Sequence, residues 1–274
     1  MNFLSTIINQ KRQRVETAKL SVSPEVLQLM AGVTRETAAP HALLDALKDE
    51  GKINIIAEFK RKSPSRGEIH PNADPLIIAK AYEDAGAAAV SILTEEDYFD
   101  GSLDDLRAAR QAISLPILRK DFIFEDYQVY ESAAAGADAV LLIVAALDDE
   151  TLIRLRRLAE DKLGLDALVE VHTRAEMERA VNSGANIIGV NNRNLSSFDV
   201  SLETSVELGS MSSDGVLLIS ESGIGSADDI EQLYDLGYRG FLIGESLMRA
   251  DDPGAALKKL TQRRQRAKED SAKQ

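Results

Sequence analysis

Lysine, glutamate and asparagine side chains follow several short apolar segments of this chain. Examples are the stretches Ala57–Lys60 and Leu168–Glu170, each placed where a buried strand would end. Lysines and carboxylates that share a cavity can pass protons to and from a substrate. The residues of this kind are Glu58, Lys60, Lys120, Glu170, Asn191 and Glu221. The sequence therefore predicts acid–base chemistry, provided that the fold brings these residues together.

Taken singly, each of these residues could be an ordinary polar cap on a strand. Burying an ionised group costs several kcal/mol unless it is paired, and two lysines among three carboxylates supply that pairing. We expect partial burial to raise the pKa of the carboxylates and to lower the pKa of the lysines towards neutrality. Such groups suit proton transfer.

Two glycines, Gly223 and Gly244, follow the last two apolar segments, and Glu245-Ser246 could begin a short helix there. In α/β barrels these two loops often bind a phosphate through free N–H groups. A tight turn is the alternative for each glycine alone. Lys60 and Ser63, in a basic loop after the first segment, could add a charge and a hydroxyl to the same anion.

Metal and thiol chemistry is not expected. The chain has no cysteine, and its three histidines, His41, His70 and His172, lie far apart in sequence without ligand partners at helical spacing. We therefore expect no metal site, and we expect His41 and His70 to be surface or capping residues.

The elements that must position the chemistry repeat one pattern, a helix that ends in glycine before an apolar strand. Gly86, Gly136, Gly184 and Gly237 mark these junctions and are 50, 48 and 53 residues apart. A further apolar strand lies in each gap. The predicted strands are 53–59, 87–93, 116–122, 137–143, 167–171, 185–190, 216–220 and 238–243. Their continuous hydrophobicity indicates burial on both faces.

Helix start signals stand between these strands. Asp74-Pro75 places proline at the first helical position, and Thr173–Glu176 and Ser226–Asp229 are capping-box patterns. Eight alternating units without a long insertion favour an α/β fold, the (β/α)8 TIM barrel, over the alternative of a doubly wound open sheet. We expect one domain over residues 1–274, with a barrel at 53–260, a polar tail at 261–274, and an N-terminal helical extension (1–50) packed on one end of the barrel.

The charge balance limits the partners. The formal net charge is −13, which disfavours nucleic acid, and the N-terminal residues are too polar for export or membrane insertion. We expect a cytoplasmic monomer without a large apolar patch that takes a small phosphorylated substrate and contacts neither nucleic acid nor a membrane.

These residues resemble one known family, the indole-3-glycerol phosphate synthases, over nearly the whole chain. The motifs that carry the resemblance are 56–66 (IAEFKRKSPSR), 91–103 (SILTEEDYFDGSL), 116–123 (PILRKDFI), 168–172 (LVEVH), 189–195 (GVNNRNL), 220–225 (SESGIG) and 242–249 (LIGESLMR). They occur in the family's order and at the predicted strand ends.

The resemblance implies the decarboxylating and dehydrating ring closure of 1-(2-carboxyphenylamino)-1-deoxyribulose 5-phosphate in tryptophan biosynthesis, without a cofactor. It implies that Lys120 is the general acid, and that Lys60 and Glu170 supply the second acid and the base, supported by Glu58. It leaves open which of these three acts at each step.

The resemblance also assigns binding residues. Asn191 and Ser222, which the resemblance places among the catalytic residues, would orient both the sugar hydroxyls and the catalytic groups, and Glu221 would hold the charge network. The remaining substrate-binding residues implied by family or by loop position are Ser63, Pro64, Phe99, Phe122, Leu141, Arg193, Phe198, Gly223, Gly244 and Glu245.

Two other functions remain as alternatives. Phosphoribosylanthranilate isomerase would share the phosphate loops but requires a cysteine–aspartate pair, and this chain has no cysteine. A non-catalytic barrel that binds phosphate metabolites would have no need to keep Glu58, Lys60, Lys120 and Glu170 together.

Overall fold

The barrel is closed by eight parallel strands. The computed structural model describes residues 3–49, 52–195, 197–211 and 215–261. Each strand pairs with its neighbours in sequence, and the last pairs with the first, so the predicted (β/α)8 barrel is confirmed. The strands are β1 (Asn54–Phe59), β2 (Ala89–Leu93), β3 (Ile117–Lys120), β4 (Ala139–Ile143), β5 (Asp166–Val171), β6 (Ile187–Asn191), β7 (Leu217–Glu221) and β8 (Gly240–Ile243).

Helices precede, connect and follow these strands. They are α1 (Phe3–Ser21), α2 (Pro24–Arg35), α3 (Ala42–Leu47), α4 (Pro75–Asp84), α5 (Glu96–Phe99), α6 (Leu103–Ala112), α7 (Asp126–Ala135), α8 (Asp149–Arg157), α9 (Arg174–Asn182), α10 (Glu203–Gly209), α11 (Ala227–Asp235), α12 (Glu245–Met248) and α13 (253–261). A 3-10 turn, Val144–Ala146, follows β4, and a π-helical turn, Leu158–Lys162, continues α8. The loop after β1 forms a small hairpin from Lys62–Ser63 and Gly67–Glu68.

The strands bury apolar side chains on both faces because helices cover the barrel outside and side chains fill it inside. Successive side chains alternate between the two faces. Ile56, Leu118, Leu168 and Ile219 belong to the cluster inside the barrel. Residues such as Val169 belong to the larger cluster between the strands and the helices. Any residue two positions after an interior side chain therefore points towards the barrel axis.

The predicted helix signals are present as local hydrogen bonds. Asp74 caps α4 by accepting from the N–H of Leu76, and Ser226 and Asp229 form a complete capping box at α11. At α9 only half of the predicted box forms. Thr173 accepts from the N–H of Glu176, but the Glu176 carboxylate accepts from the N–H of His172.

The N-terminal helices pack at both ends of the barrel, so the prediction that they share one end is wrong. Helix α1 lies over the carboxyl ends of the strands, where Leu4 and Ile7 line the central cavity. Helix α3 lies at the opposite end, where Asn54, the first residue of β1, donates to the carbonyl oxygen of Leu47. Leu43 and Leu47 complete the interior apolar cluster, which therefore fixes α3 below the barrel.

Helix α2 exposes an apolar stripe, so the expectation that the surface has no large apolar patch is wrong here. Val26, Leu29, Met30 and Val33 are 46–72% exposed and recur at helical spacing. No described helix is both long and apolar enough to cross a membrane. The predicted polar tail, apart from residue 261, lies outside the described residues.

Candidate active site

A cavity of about 450 Å³ opens at the carboxyl ends of the strands. Strand alternation explains which side chains enter it. Glu58 follows Ile56 by two positions, Lys120 follows Leu118, and Glu221 follows Ile219 on the interior face. Every site residue predicted from the sequence lines this cavity: Glu58, Lys60, Ser63, Pro64, Phe99, Lys120, Phe122, Leu141, Glu170, Asn191, Arg193, Phe198, Glu221, Ser222, Gly223, Gly244 and Glu245.

Lys60 and Glu58 form an ion pair on one side of the cavity. The Nζ of Lys60 lies 2.5 Å from Oε1 of Glu58, and both side chains are largely buried. Arg61, between them and the rest of the basic loop, turns away and pairs with Asp105 outside the cavity. Of the two consecutive cations of this loop, Lys60 therefore enters the site, and Arg61 stabilises the conformation of the loop.

Lys120 lies between two carboxylates on the opposite side. Its Nζ is 3.2 Å from Oε2 of Glu170 and 3.4 Å from Oε2 of Glu221. The Glu170 and Glu221 side chains are only 2% and 1% exposed, so their charges are poorly screened by water. The lysine thus holds together two carboxylates that would otherwise repel each other.

The pKa values follow from this arrangement and correct the expectation for lysine. Burial alone would lower the pKa of Lys120, but Glu170, Glu221 and Glu58 together raise it above its ordinary value. Burial likewise disfavours the charged form of Glu170, yet Lys120 and His172 hold its pKa below the usual range. The pKa of Glu221, which burial raises, moves in the predicted direction.

Glu221 is the carboxylate whose pKa rises in this cluster. Burial, together with the charges of Glu170 and Glu58, raises its pKa to about 8 against the opposing effect of Lys120. Neither of its carboxylate oxygens makes a regular hydrogen bond within the described residues. One carboxylate beside Lys120 is therefore poised to lose its charge while the other keeps it.

Asn191 and Ser222 stand at the ends of neighbouring strands β6 and β7. The side-chain oxygen of Asn191 accepts from the N–H of Arg193, and its amide stabilises the Glu170 carboxylate by a hydrogen bond. Ser222 and Gly223 both adopt positive φ, 67° and 80°. Two successive residues in this conformation turn the chain sharply at the cavity wall.

Aromatic rings form the upper wall. Phe99 and Phe122 lie with their ring centroids 6.4 Å apart, and Phe198 packs edge-on against Phe3 of α1 at 5.1 Å. Leu141 lies deeper, inside the barrel. This wall offers a flat aromatic group an apolar surface opposite the charged groups.

Three arginines meet around Glu245 at the start of α12. Arg66 and Arg249 approach Oε1 at 3.1 and 3.5 Å, and Arg193 approaches Oε2 at 3.5 Å. Gly223, Gly244 and Ser246 line the same part of the cavity. Positive charge is therefore concentrated at one rim of a protein whose net charge is −13.

Comparison with known proteins identifies the family. The family model described as indole-3-glycerol phosphate synthase matches residues 4–260. The chain belongs to the indole-3-glycerol phosphate synthase family. Proteins of that name from Syntrophobacter fumaroxidans and Desulfosudis oleivorans are 47% and 48% identical to it over 258 and 260 residues. The alignments cover 93% and 94% of this chain and 96% and 98% of those proteins.

Membership in this synthase family establishes the activity, a decarboxylating lyase reaction of tryptophan biosynthesis on a small phosphorylated substrate. Solved structures support the fold alone. A 3-hexulose-6-phosphate synthase from Salmonella typhimurium superposes with a TM-score of 0.60 at 14% identity, covering 76% of this chain and 96% of that one. Thiamine phosphate pyrophosphorylase from Pyrococcus furiosus gives 0.58 at 18% identity, covering 79% and 96%.

Several residues of this synthase site were missed from the sequence. Phe3, Leu4 and Ile7 of α1 line the cavity, although a helical spacing alone predicts only burial. Lys11 of the same helix is buried and pairs with Asp121 at 2.9 Å and Glu96 at 2.7 Å. A lysine at the buried position of a helical pattern was the available signal, since lysine is seldom fully buried unless it is paired.

Gly189 was also missed. It lies on the interior face of β6, and a Cβ there would stand 3.2 Å from the carboxyl carbon of Glu221 and closer to one of its oxygens. A glycine inside an otherwise apolar strand often marks a close approach of this kind. Its absent side chain leaves the room that Glu221 occupies.

Proposed function

We propose that Lys120, Lys60 and Glu170 move the protons of the family's reaction, in which 1-(2-carboxyphenylamino)-1-deoxyribulose 5-phosphate becomes indole-3-glycerol phosphate, carbon dioxide and water. The observation that carries the proposal is the position of Lys120, within 3.4 Å of two buried carboxylates and inside the cavity. The bond changes need only acids and a base from the protein, so the proposal includes no metal or cofactor.

Lys120 acts as the acid of ring closure. The aromatic carbon that bears the carboxylate attacks the sugar ketone, and the ketone oxygen takes a proton from Lys120. The raised pKa of Lys120, which burial opposes and Glu170, Glu221 and Glu58 produce, keeps the amine charged before the reaction. A cation placed where the alkoxide develops stabilises that transition state. Loss of carbon dioxide then returns the bonding electrons to the ring.

Glu170 and Lys60 complete the dehydration. The new hydroxyl leaves as water with a proton from Lys60, and Glu170 removes the proton from the adjacent carbon, whose bonding electrons form the pyrrole double bond. The pKa of Glu170, which burial would raise, is held low by Lys120 and His172, so the carboxylate is available as a base. Glu58 holds Lys60 in place through the 2.5 Å ion pair.

Two parts of the cavity match the two ends of the substrate, the phosphate and the anthranilate ring. We assign the phosphate to the rim formed by Ser222, Gly223 and Gly244, where Arg66, Arg193 and Arg249 approach. Glu245 pairs with those arginines, and a bound phosphate would replace Glu245 as their anionic partner. The anthranilate ring lies against Phe99, Phe122, Leu141 and Phe198, while Asn191 and Ser222 contact the sugar hydroxyls. Ser63 has a buried hydroxyl without a partner among the described residues, and with Pro64 it lines the same cavity.

We also propose a cytoplasmic monomer in which α1 and the barrel form one functional domain, and which binds neither nucleic acid nor a membrane. The net charge of −13 opposes binding to polyanions. The stripe on α2 is where a second copy would pack. If the monomer is correct, light scattering should give the mass of one chain, 29.8 kDa. A doubled mass that Leu29→Lys restores to one chain would overturn the monomer.

The test of the reaction is direct. Adding the carboxyphenylamino sugar phosphate to metal-stripped protein should produce indole fluorescence and release carbon dioxide. Lys120→Met should bind the substrate and produce roughly 10³-fold less product per unit time, as expected when a general acid is lost. Near-normal turnover of this variant would reject Lys120 as the acid. A barrel that only binds phosphate metabolites would give no fluorescence with either protein.

A further inference from the structure

A second, more polar cavity of about 470 Å³ lies beside the active site, on the far side of Glu170. His172, Thr173 and Glu176 line it, and Asn191 and Arg193 line both cavities. His172 is the residue directly after β5, so its side chain stands next to Glu170 and between the two cavities. The proposed reaction has no step in which this histidine gives or takes a proton.

The side chains of Glu170, His172 and Glu176 lie in a row. Nε2 of His172 lies 3.4 Å from Oε1 of Glu170, the oxygen that does not face Lys120. On the other side of the ring, Nδ1 lies 3.2 Å from Oε2 of Glu176. The same Glu176 oxygen accepts from the backbone N–H of His172 at 2.7 Å, which fixes the start of α9 to the end of β5.

We infer that His172, held by Glu176, is a positioning residue that keeps Glu170 in its carboxylate form and in the orientation of a base. The inference rests on the proposed role of Glu170. It adds a residue on the outer side of the active site. The imidazole of this residue exchanges protons with solvent through the second cavity and not through the mouth that the substrate fills.

The charges around His172 favour its protonated form. Burial would lower the pKa of the imidazole, but Glu176, Glu170 and Glu221 raise it above its ordinary value. Lys120 contacts the same Glu170 carboxylate, and two further charged residues, Arg193 and Asp199, line the second cavity together with His172. An imidazolium beside Glu170 stabilises the negative charge on that carboxylate, and each group thereby favours the ionised form of the other.

The first experiment compares His172→Gln with His41→Gln. His41 is a matched control because its Nδ1 also lies 3.2 Å from a buried carboxylate, that of Asp166, at the other end of the barrel. We expect His172→Gln to lower kcat roughly tenfold with little change in KM, because a base is impaired while binding is kept. The acid limb of its pH profile should move to higher pH, since Glu170 loses a stabilising cation. His41→Gln should show neither effect.

Glu176→Gln offers a second variant that keeps the imidazole. We expect a smaller change in the same direction, because the ring loses its anionic partner but stays in place. If both variants fold, as judged by circular dichroism and substrate binding, and their acid limbs coincide with that of the parent protein, the inference is wrong.

A measurement without turnover separates this inference from the proposed function. Nuclear magnetic resonance can follow the three histidines through a pH titration in the parent protein and in Glu170→Gln. We expect the His172 midpoint to move to lower pH in the variant. An unmoved His172 midpoint would overturn the inference even if Glu170→Gln is inactive. An active Glu170→Gln with a moved midpoint would instead reject Glu170 as the base.

Discussion

Gly244 lies directly against Glu58, so that a Cβ at Gly244 would stand 2.9 Å from the Cβ of Glu58 and closer to its Oε1. The sequence predicted Gly244 as part of a phosphate loop, and the structure adds that its missing side chain makes room for a carboxylate of the active site. Glu58 in turn holds Lys60. One glycine therefore serves two parts of the site.

Gly244→Ala should accordingly impair the chemistry as well as binding. The new methyl group must displace Glu58, which would release Lys60 from its ion pair. We expect kcat to fall roughly 10- to 100-fold, the range for a misplaced catalytic group, together with a rise in KM. Steady-state kinetics give both values. Gly32→Ala is the control, because a Cβ at that helical position meets nothing within 4 Å. A change confined to KM would leave Gly244 as a phosphate residue alone.

Glu221→Gln tests the buried carboxylate whose pKa burial raises to about 8. In the unfolded chain this group ionises near 4.5. Between these two pH values the folded protein binds more protons than the unfolded one, so the stability that Glu221 contributes is lost as the pH rises. The glutamine cannot ionise. As the pH rises through this interval, we therefore expect the free energy of unfolding to fall in the parent protein relative to Glu221→Gln. Above the interval, the difference between the two proteins should stay constant.

Urea unfolding at successive pH values measures this difference. Glu178→Gln, an exposed change on α9, serves as the control and should track the parent protein at every pH. A difference between Glu221→Gln and the parent that is the same at low and high pH would contradict a raised pKa at Glu221.

Lys120→Met should change stability as well as turnover. Removing one partner of a buried ion pair typically costs about 3–5 kcal/mol, because the remaining charge is left uncompensated. Here Glu170 and Glu221 would both face an apolar side chain and would regain stability by taking up protons. We expect the variant's deficit in unfolding free energy to shrink as the pH falls. Calorimetry of variant and parent at pH 5.5 and 8 checks this, and a deficit that grows at lower pH would exclude the proposed pairing.

Lys11→Met tests whether α1 is part of the active site. Lys11 is 4% exposed and ties α1 to Asp121, the neighbour of Lys120. We expect a loss of roughly 3–5 kcal/mol in unfolding free energy, and a rise in KM as Phe3, Leu4 and Ile7 lose their position.

The control for this helix is Lys19→Met. Lys19 pairs with Glu16 and Glu125, but its side chain is 27% exposed. Pairs of this kind contribute about 0–1 kcal/mol, so both stability and KM should stay close to the parent values. Equal effects of the two substitutions would mean that the buried pair does not hold α1 on the site.

The sequence by itself determined the barrel and the set of residues around its mouth. Strand periodicity, helix caps such as Ser226–Asp229 and the terminal glycines are local signals, and parallel strands must open onto one end. Glu58, Lys120 and Glu170 therefore had to meet. The placement of α1 and α3 at opposite ends was not determined locally, because helical spacing predicts a buried face but not its partner.

Only the tertiary structure decided the charge states and the neighbours of these residues. The pKa of Lys120 rises because burial is outweighed by carboxylates from three other strands, a sum that depends on distances. The space that Gly189 and Gly244 leave for glutamates likewise arises between residues on, or directly after, different strands. The contact of His172 with Glu170, two positions away in sequence, depends on where the fold directs the two side chains. Electrostatic and steric effects of this kind act through space, and no spacing along the chain encodes their magnitude or sign.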